Sequence, residues 1–396
     1  MNYDFTTLRP RAGTGASKWR AQEEAGVTDP DVIPFSVADM DLLAAPEIVQ
    51  ALRRAADFGV YGYTGMDDAY RQAVCAWMAR RHNWTVDPSW LVTTFGVVHA
   101  MGQALHAFTQ PGDGIIYQAP SYPPFRAVTL AAGRTPLPNA LKLVDGRYQV
   151  DFDGLEALCA RPDAKLFFLC SPHNPTGRVW TEAELRQMGD ICLRHGVLVF
   201  SDEIHFDFVY PPHRHTVYAT LGEKYAQSCI VATAASKTFN LAGLSTANMI
   251  LPNPALRQRF QDKATGYTGH YTGYFGLAAT RAAYEEGGPW LDALLEHLRG
   301  NYDYACTFLR QRFPSVKVLP MEGTYLMWAD FSSLGLDPQA QKAFMTQEAQ
   351  LFLDEGTMFG PEGAGFERFV LACPRLHLQK ALERLDAAAE RRKLPR

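Results

Sequence analysis

Lys237 follows a run of small and apolar residues, Cys229-Ile230-Val231-Ala232-Thr233, within Ala234-Ala235-Ser236-Lys237-Thr238-Phe239-Asn240. The run reads as a buried strand that delivers one amine at its end. A buried ammonium is costly unless it is used. One use is an imine with a carbonyl cofactor, which removes the charge and supplies a covalent tether. Taken alone, the same lysine also fits a solvated loop. Two polar turns upstream bear on the choice. Ser171-Pro172-His173-Asn174-Pro175-Thr176-Gly177 follows the apolar run Lys165–Cys170. Its prolines and glycine fix a turn that can hold the Asn174 amide rigidly. Ser201-Asp202-Glu203-Ile204-His205 follows Val197–Phe200. An aspartate at a buried strand end needs a cationic or donor partner, unless it caps a helix. An amide, a carboxylate and an amine, each just after a strand, form a constellation that accident seldom produces.

The elements that must position these groups alternate along the chain. Trp90–Thr94 reads as a strand and runs into Gly96-Val97-Val98, which opens a helix with Val98, Met101, Leu105 and Phe108 on one side. The free backbone N–H groups of that helix start suit an anion. Gly114–Tyr117 is the next strand, followed by Pro120-Ser121-Tyr122-Pro123-Pro124. Thr181 and Glu184 form a capping-box pair for a helix through Arg194. Near-continuous apolar strands separated by helices predict a mostly parallel sheet between helices. In such sheets chemistry gathers beyond the strands' carboxyl ends. After about residue 285 the order changes to a long helix (Leu291 to Arg312), strand-like Val316–Leu319 and Thr324–Asp330, a helix around 338–354, Arg368–Cys373, and a final amphipathic helix. The expected fold class is therefore α/β. A large domain (46–285) holds the parallel sheet, and a smaller α+β domain joins 1–45 to 286–396.

Composition narrows the function. The 396-residue chain is 47% hydrophobic and 20% charged, ordinary for a globular enzyme. A net charge of −4 gives no basic footprint for nucleic acid. The seven cysteines are odd in number and lack CxxC spacing. They read as free thiols in a reducing compartment, with no disulfide frame and no metal site. The start has no apolar signal region, and no run approaches the ~18 apolar residues of a membrane span. A cytoplasmic protein with no membrane partner is expected.

Together, Ser171–Gly177, Ser201–His205 and Ser236–Gly243 resemble the fold-type I pyridoxal-phosphate enzymes, the aspartate aminotransferase superfamily, with the resemblance running from Pro34 to Arg375. It implies the PLP transferase fold with pyridoxal 5′-phosphate tethered to Lys237. Asp202 pairs with the pyridine nitrogen and keeps it protonated, so that the ring can draw in a carbanion's charge. Asn174 donates to the ring's 3′ oxygen, and Tyr122 stacks on the ring face. Gly96, Val97, Val98 and Ser236 hold the phosphate. Tyr61 reaches the phosphate of a neighbouring subunit, which makes the enzyme a homodimer with shared active sites. Arg375, in Ala372-Cys373-Pro374-Arg375, clamps the substrate α-carboxylate, with Ala38 and Asn174 beside it. Catalysis falls to Lys237, Tyr122 and Tyr61.

Two departures point to a branch. Many aminotransferases carry arginine eight residues after the lysine, where this chain has Ser245. Many carry tyrosine three residues after the aspartate, at the 3′ oxygen, where this chain has His205. With Val37-Ala38-Asp39-Met40-Asp41, they look like the cystathionine β-lyase, or C–S lyase, branch. That branch implies α,β-elimination of S-substituted L-cysteines to thiol, pyruvate and ammonia. The alternatives are an aminotransferase of aromatic or neutral amino acids, and a non-catalytic cofactor-binding regulatory protein.

Overall fold

The computed structural model describes residues 3–268 and 272–395. Met1, Asn2 and Arg396, the outermost residues of the expected small domain, lie outside them. Seven strands build the main sheet: β1 (Leu91–Thr94), β2 (Gly114–Ala119), β3 (Thr135–Ala140), β6 (Ala164–Cys170), β7 (Leu198–Asp202), β8 (Cys229–Thr233) and β9 (Ala247–Ile250). A short hairpin of β4 (Lys142–Val144) and β5 (Arg147–Gln149) lies outside it. The order is β1-β9-β8-β7-β6-β2-β3. The run from β3 to β8 is parallel, and β9 pairs antiparallel with both β8 and β1.

The apolar runs are continuous because both faces of this sheet are covered. Leu166, Phe168 and Cys170 of β6 belong to the core shared with Ala100, Met101, Ala104 and Leu105 of helix Val97–Phe108. Their neighbours Phe167 and Leu169 belong to the opposite core, with Leu185, Met188 and Cys192 of helix Glu182–His195. Alternation at period two thus sends each strand's side chains into two cores. Helix Glu182–His195 begins with the expected capping box, Thr181 and Glu184 each satisfying the other's backbone N–H, and ends at Gly196 in a left-handed conformation.

A second sheet of β10 (Lys317–Val318), β11 (Leu326–Asp330), β12 (Asp354–Glu355) and β13 (Phe366–Val370) is antiparallel throughout, ordered β10-β11-β13-β12. The N-terminal segment is fastened beside it: Phe35 N–H donates to Phe352 O, Val370 N–H to Phe35 O, and Asp41 N–H to Ala372 O. The helix expected around 338–354 is shorter. It runs over Pro338–Ala343, widens into a π-helical turn at Phe344–Glu348, and stops at Gln350 in a left-handed conformation. That stop frees Phe352 to meet Phe35.

The loop carrying Ser245 and Thr246 is set by helix Tyr274–Glu286. An added Cβ at Gly276 would lie 1.9 Å from Thr246 Oγ1 and 2.6 Å from Leu244 O. Gly276→Ala should therefore force the loop and helix apart and cost about 1–3 kcal/mol, lowering the denaturant midpoint. Gly288→Ala, with nothing within 4 Å of its Cβ position, should leave the midpoint nearly unchanged.

Candidate active site

The carboxyl ends of β6, β7 and β8 open on a cavity of about 230 Å³. Parallel register sets Asp202 level with Cys170 on β6 and Ala232 on β8. The turns beyond those strands then carry Asn174 and Lys237 to the same opening. Ala38, Gly96, Val97, Val98, Tyr122, Asn174, Asp202, His205, Ser236 and Lys237 all line this cavity.

Burial governs its electrostatics. Lys237 sits on the single helical turn Ala235–Thr238. Burial, with Arg368 adding, pulls its ammonium down to about 8, against the opposing pull of Asp39 and Asp202. Its Nζ donates to Ala38 O at 2.6 Å. The Asp202 carboxyl is pushed up to about 7 by burial, although Ile204 N–H donates to its Oδ1 and Lys237 favours its charge. His205 is held neutral, far below its usual range, by burial and by the charges of Lys237 and Arg368. Its Nδ1 is buried with no hydrogen-bond partner. Burial raises Tyr122 to about 12, with Asp202 adding, so its hydroxyl stays protonated.

The cavity fits pyridoxal phosphate group by group. Gly96, at a positive φ of 107°, brings no side chain to cap helix Val97–Phe108. First-turn N–H groups have no partner within a helix and suit a phosphate. The carbonyl of the Asn174 side chain accepts from Arg368 Nη1 at 2.9 Å. That contact turns the amide's NH₂ end free to donate, as the ring's 3′ oxygen needs. Asp202 is a buried carboxylate facing the space where a pyridinium would stand.

Two expected site residues lie elsewhere. Arg375 begins helix Arg375–Arg392, and its Nε donates to Asn301 Oδ1 at 2.6 Å while its guanidinium lies 5.2 Å from the Tyr304 ring centroid. Pro374 ends the extended segment just before it, so the helix turns Arg375 away from the cavity toward helix Gly288–Arg312. The carboxylate role assigned to Arg375 is corrected on this ground. The arginine that meets the site is Arg368 on β13, buried, in contact with Asn174 and ion-paired with Asp354. Its signal in the sequence is a charged pair, Glu367-Arg368, inside the apolar run Phe366–Val370. Tyr61 is 57% exposed, donates to Ala56 O at 2.6 Å and packs on Tyr274 and Phe275. It does not line its own chain's cavity.

Comparison with known proteins agrees with this geometry. The family described as aminotransferase class I and II matches residues 30–385. Cystathionine beta-lyase PatB of Bacillus subtilis is 40% identical over 391 residues, covering 98% of this chain and 100% of that protein. Protein MalY of Escherichia coli is 34% identical, covering 96% and 97%. Among solved structures, cystalysin from Treponema denticola, which contains a pyridoxal 5′-phosphate cofactor, has a TM-score of 0.96 at 40% identity, covering 99% of this chain and 100% of that one. The PLP-bound C–S lyase from Staphylococcus hominis has a TM-score of 0.91 at 29% identity, covering 98% of each. The mostly parallel sheet with its covering helices is that of the type I pyridoxal-phosphate enzymes, and the chain belongs to the aminotransferase class I and II family.

Proposed function

We propose that this protein is a pyridoxal-phosphate-dependent C–S β-lyase acting on S-substituted L-cysteines. The observation that carries the reading is the joint placement of Lys237, Asp202 and Asn174 in one cavity, in a chain similar over its length to proteins named cystathionine β-lyase. Ser245 and His205, where many aminotransferases carry arginine and tyrosine, favour the lyase over transamination.

Bound pyridoxal phosphate supplies an electron sink for a carbanion at the substrate's Cα. The residues do the rest. Val97, Val98 and Ser236 hold the phosphate, Asn174 donates to the ring oxygen, and Tyr122 covers the ring face. Arg368 takes the substrate carboxylate and so orients its Cα–H toward Lys237. With its ammonium pulled down to about 8, Lys237 is neutral in roughly a tenth of molecules at pH 7 and can accept that proton. Elimination breaks the Cα–H and Cβ–S bonds and leaves sulfur protonated. Water then releases ammonia, leaving pyruvate.

We read the two sheets as two domains, 46–285 and the joined 1–45 and 286–396. We also read the enzyme as a homodimer. Phe58, Val60, Tyr61 and Tyr63 stand together and exposed, at 69, 66, 57 and 91%. Contiguous exposed apolar groups of this kind mark association surfaces, and Tyr61 would thereby enter the partner's site. Seven free thiols fit a reducing, cytoplasmic setting. Among the described residues no helix is long and apolar enough to cross a membrane.

Purified holoenzyme given cystathionine and no keto acid should form pyruvate and thiol in equal amounts; turnover that requires an added keto acid would refute elimination. Arg368→Ala should raise KM about 10- to 100-fold through loss of a charge-assisted carboxylate contact, whereas Arg375→Ala should change it little. For the shared site, Lys237→Ala and Tyr61→Phe proteins are each expected to be impaired. Unfolded and refolded together, they should regain about a quarter of wild-type activity, because half the dimers then hold one native site. No recovery on mixing would refute the entry of Tyr61 into the partner's site.

A further inference from the structure

The carbonyl oxygen of Ala38 receives two donors. Lys237 Nζ lies 2.6 Å from it and Tyr325 Oη 2.9 Å. Neither donor sets where that oxygen stands, because the backbone beyond it is gripped separately. Asn240 Oδ1 accepts from Met40 N–H at 3.0 Å, and Asn240 Nδ2 donates to Met40 O and Leu42 O, both at 3.1 Å. Lys18 Nζ donates to Asp39 O at 3.0 Å, and Arg11 pairs with Asp39 and Asp41. Asn240 has a positive φ of 59°, a conformation asparagine tolerates better than most residues. It turns the amide back onto residues 40–42. One loop therefore carries the amine and also grips the segment that bears the amine's acceptor.

We propose that Asn240 is a positioning residue: by gripping residues 40–42 it holds the Ala38 carbonyl as the acceptor for the Lys237 ammonium whenever that amine is free. A backbone carbonyl suits the task. It stabilises the charged amine but cannot take its proton, so the lysine keeps the proton for transfer. Other groups act on the same amine. Asp202 and Asp39 favour its charge, and Arg368 and Lys18 oppose it. His205 is neutral, and Tyr122 and Tyr325 are un-ionised because burial raises both. Tyr325 shares the acceptor, so removing its hydroxyl leaves the oxygen to Lys237 alone. The two contacts therefore predict opposite signs.

The test uses full-length protein freed of cofactor, with the pH dependence of acylation at Lys237 read by peptide mass spectrometry. No substrate is present, so the result is independent of the lyase reading. In the wild type the midpoint is expected near about 8. Asn240→Ala should lower it by about one pH unit, since a weakened acceptor favours the neutral amine. Tyr325→Phe should raise it. An unchanged midpoint in Asn240→Ala overturns the proposal. A fall in both variants also overturns it, because general loosening moves both the same way. If Asn240→Ala does not fold, Asn240→Gly, which accepts the positive φ of 59° and has no side chain to reach residues 40–42, should lower the midpoint in the same way, and an unchanged midpoint in it overturns the proposal.

Discussion

Two opposite charges kept from water at the ends of adjacent parallel strands set the terms for this molecule. Burial pushes Asp202 up to about 7 and Lys237 down to about 8. Each shift measures how poorly the site solvates the group's charge. A cation placed against Asp202 would favour its ionised form. A covalent bond at the Lys237 amine would remove the charge that burial opposes. An aromatic aldehyde with a basic ring nitrogen offers both. The cavity is therefore complementary to the cofactor in electrostatics as well as in its hydrogen-bonding groups. A sheet buried on both faces provides that environment and delivers Asn174, Asp202 and Lys237 from consecutive neighbours β6, β7 and β8.

The remaining groups come from far along the chain. Ala38 meets Lys237 across 199 residues, and Arg368 meets Asn174 across 194. Both arrive through the second sheet. Residues 35–41 hydrogen-bond to Phe352, Val370 and Ala372, and Arg368 lies on β13, the strand that pairs with β11 and β12. The N-terminal segment thus fastens the second sheet to the lysine loop. A shift of that sheet would move Arg368 and the lysine's acceptor together.

This division explains what could be read from residues alone. Asn174, Asp202 and Lys237 were legible because each is a polar residue in the turn after an apolar run, a local pattern. The Thr181–Glu184 box was legible for the same reason. Arg368 was not, because its place depends on the register of β13 against its neighbours, which no local pattern reports. Arg375 was assigned by resemblance to a family motif, but Pro374 opens a helix there and Arg375 pairs with Asn301 instead. The charged pair inside Phe366–Val370 was the available clue. A strand interior tolerates buried charge only where partners wait, and here they are Asp354 for Arg368 and Gln341 for Glu367. Tyr61 shows another limit, since one chain does not contain the surface it would meet.

The ion pair between Arg368 and Asp354 also bears on how a substrate would be received. A guanidinium left unpaired in this buried position would be costly and free to turn aside. Asp354 holds one arm, and the Asn174 side chain accepts from another at 2.9 Å. Phe359 lies against its face, 4.8 Å from the ring centroid. The guanidinium is therefore held in place before any carboxylate would arrive, and little side-chain freedom would remain to be lost on binding. The same contact occupies the carbonyl of the Asn174 amide and leaves its NH₂ end free to donate. In the proposed reading, substrate orientation and ring polarisation would thus share one hydrogen bond, and a change at Arg368 would disturb both at once.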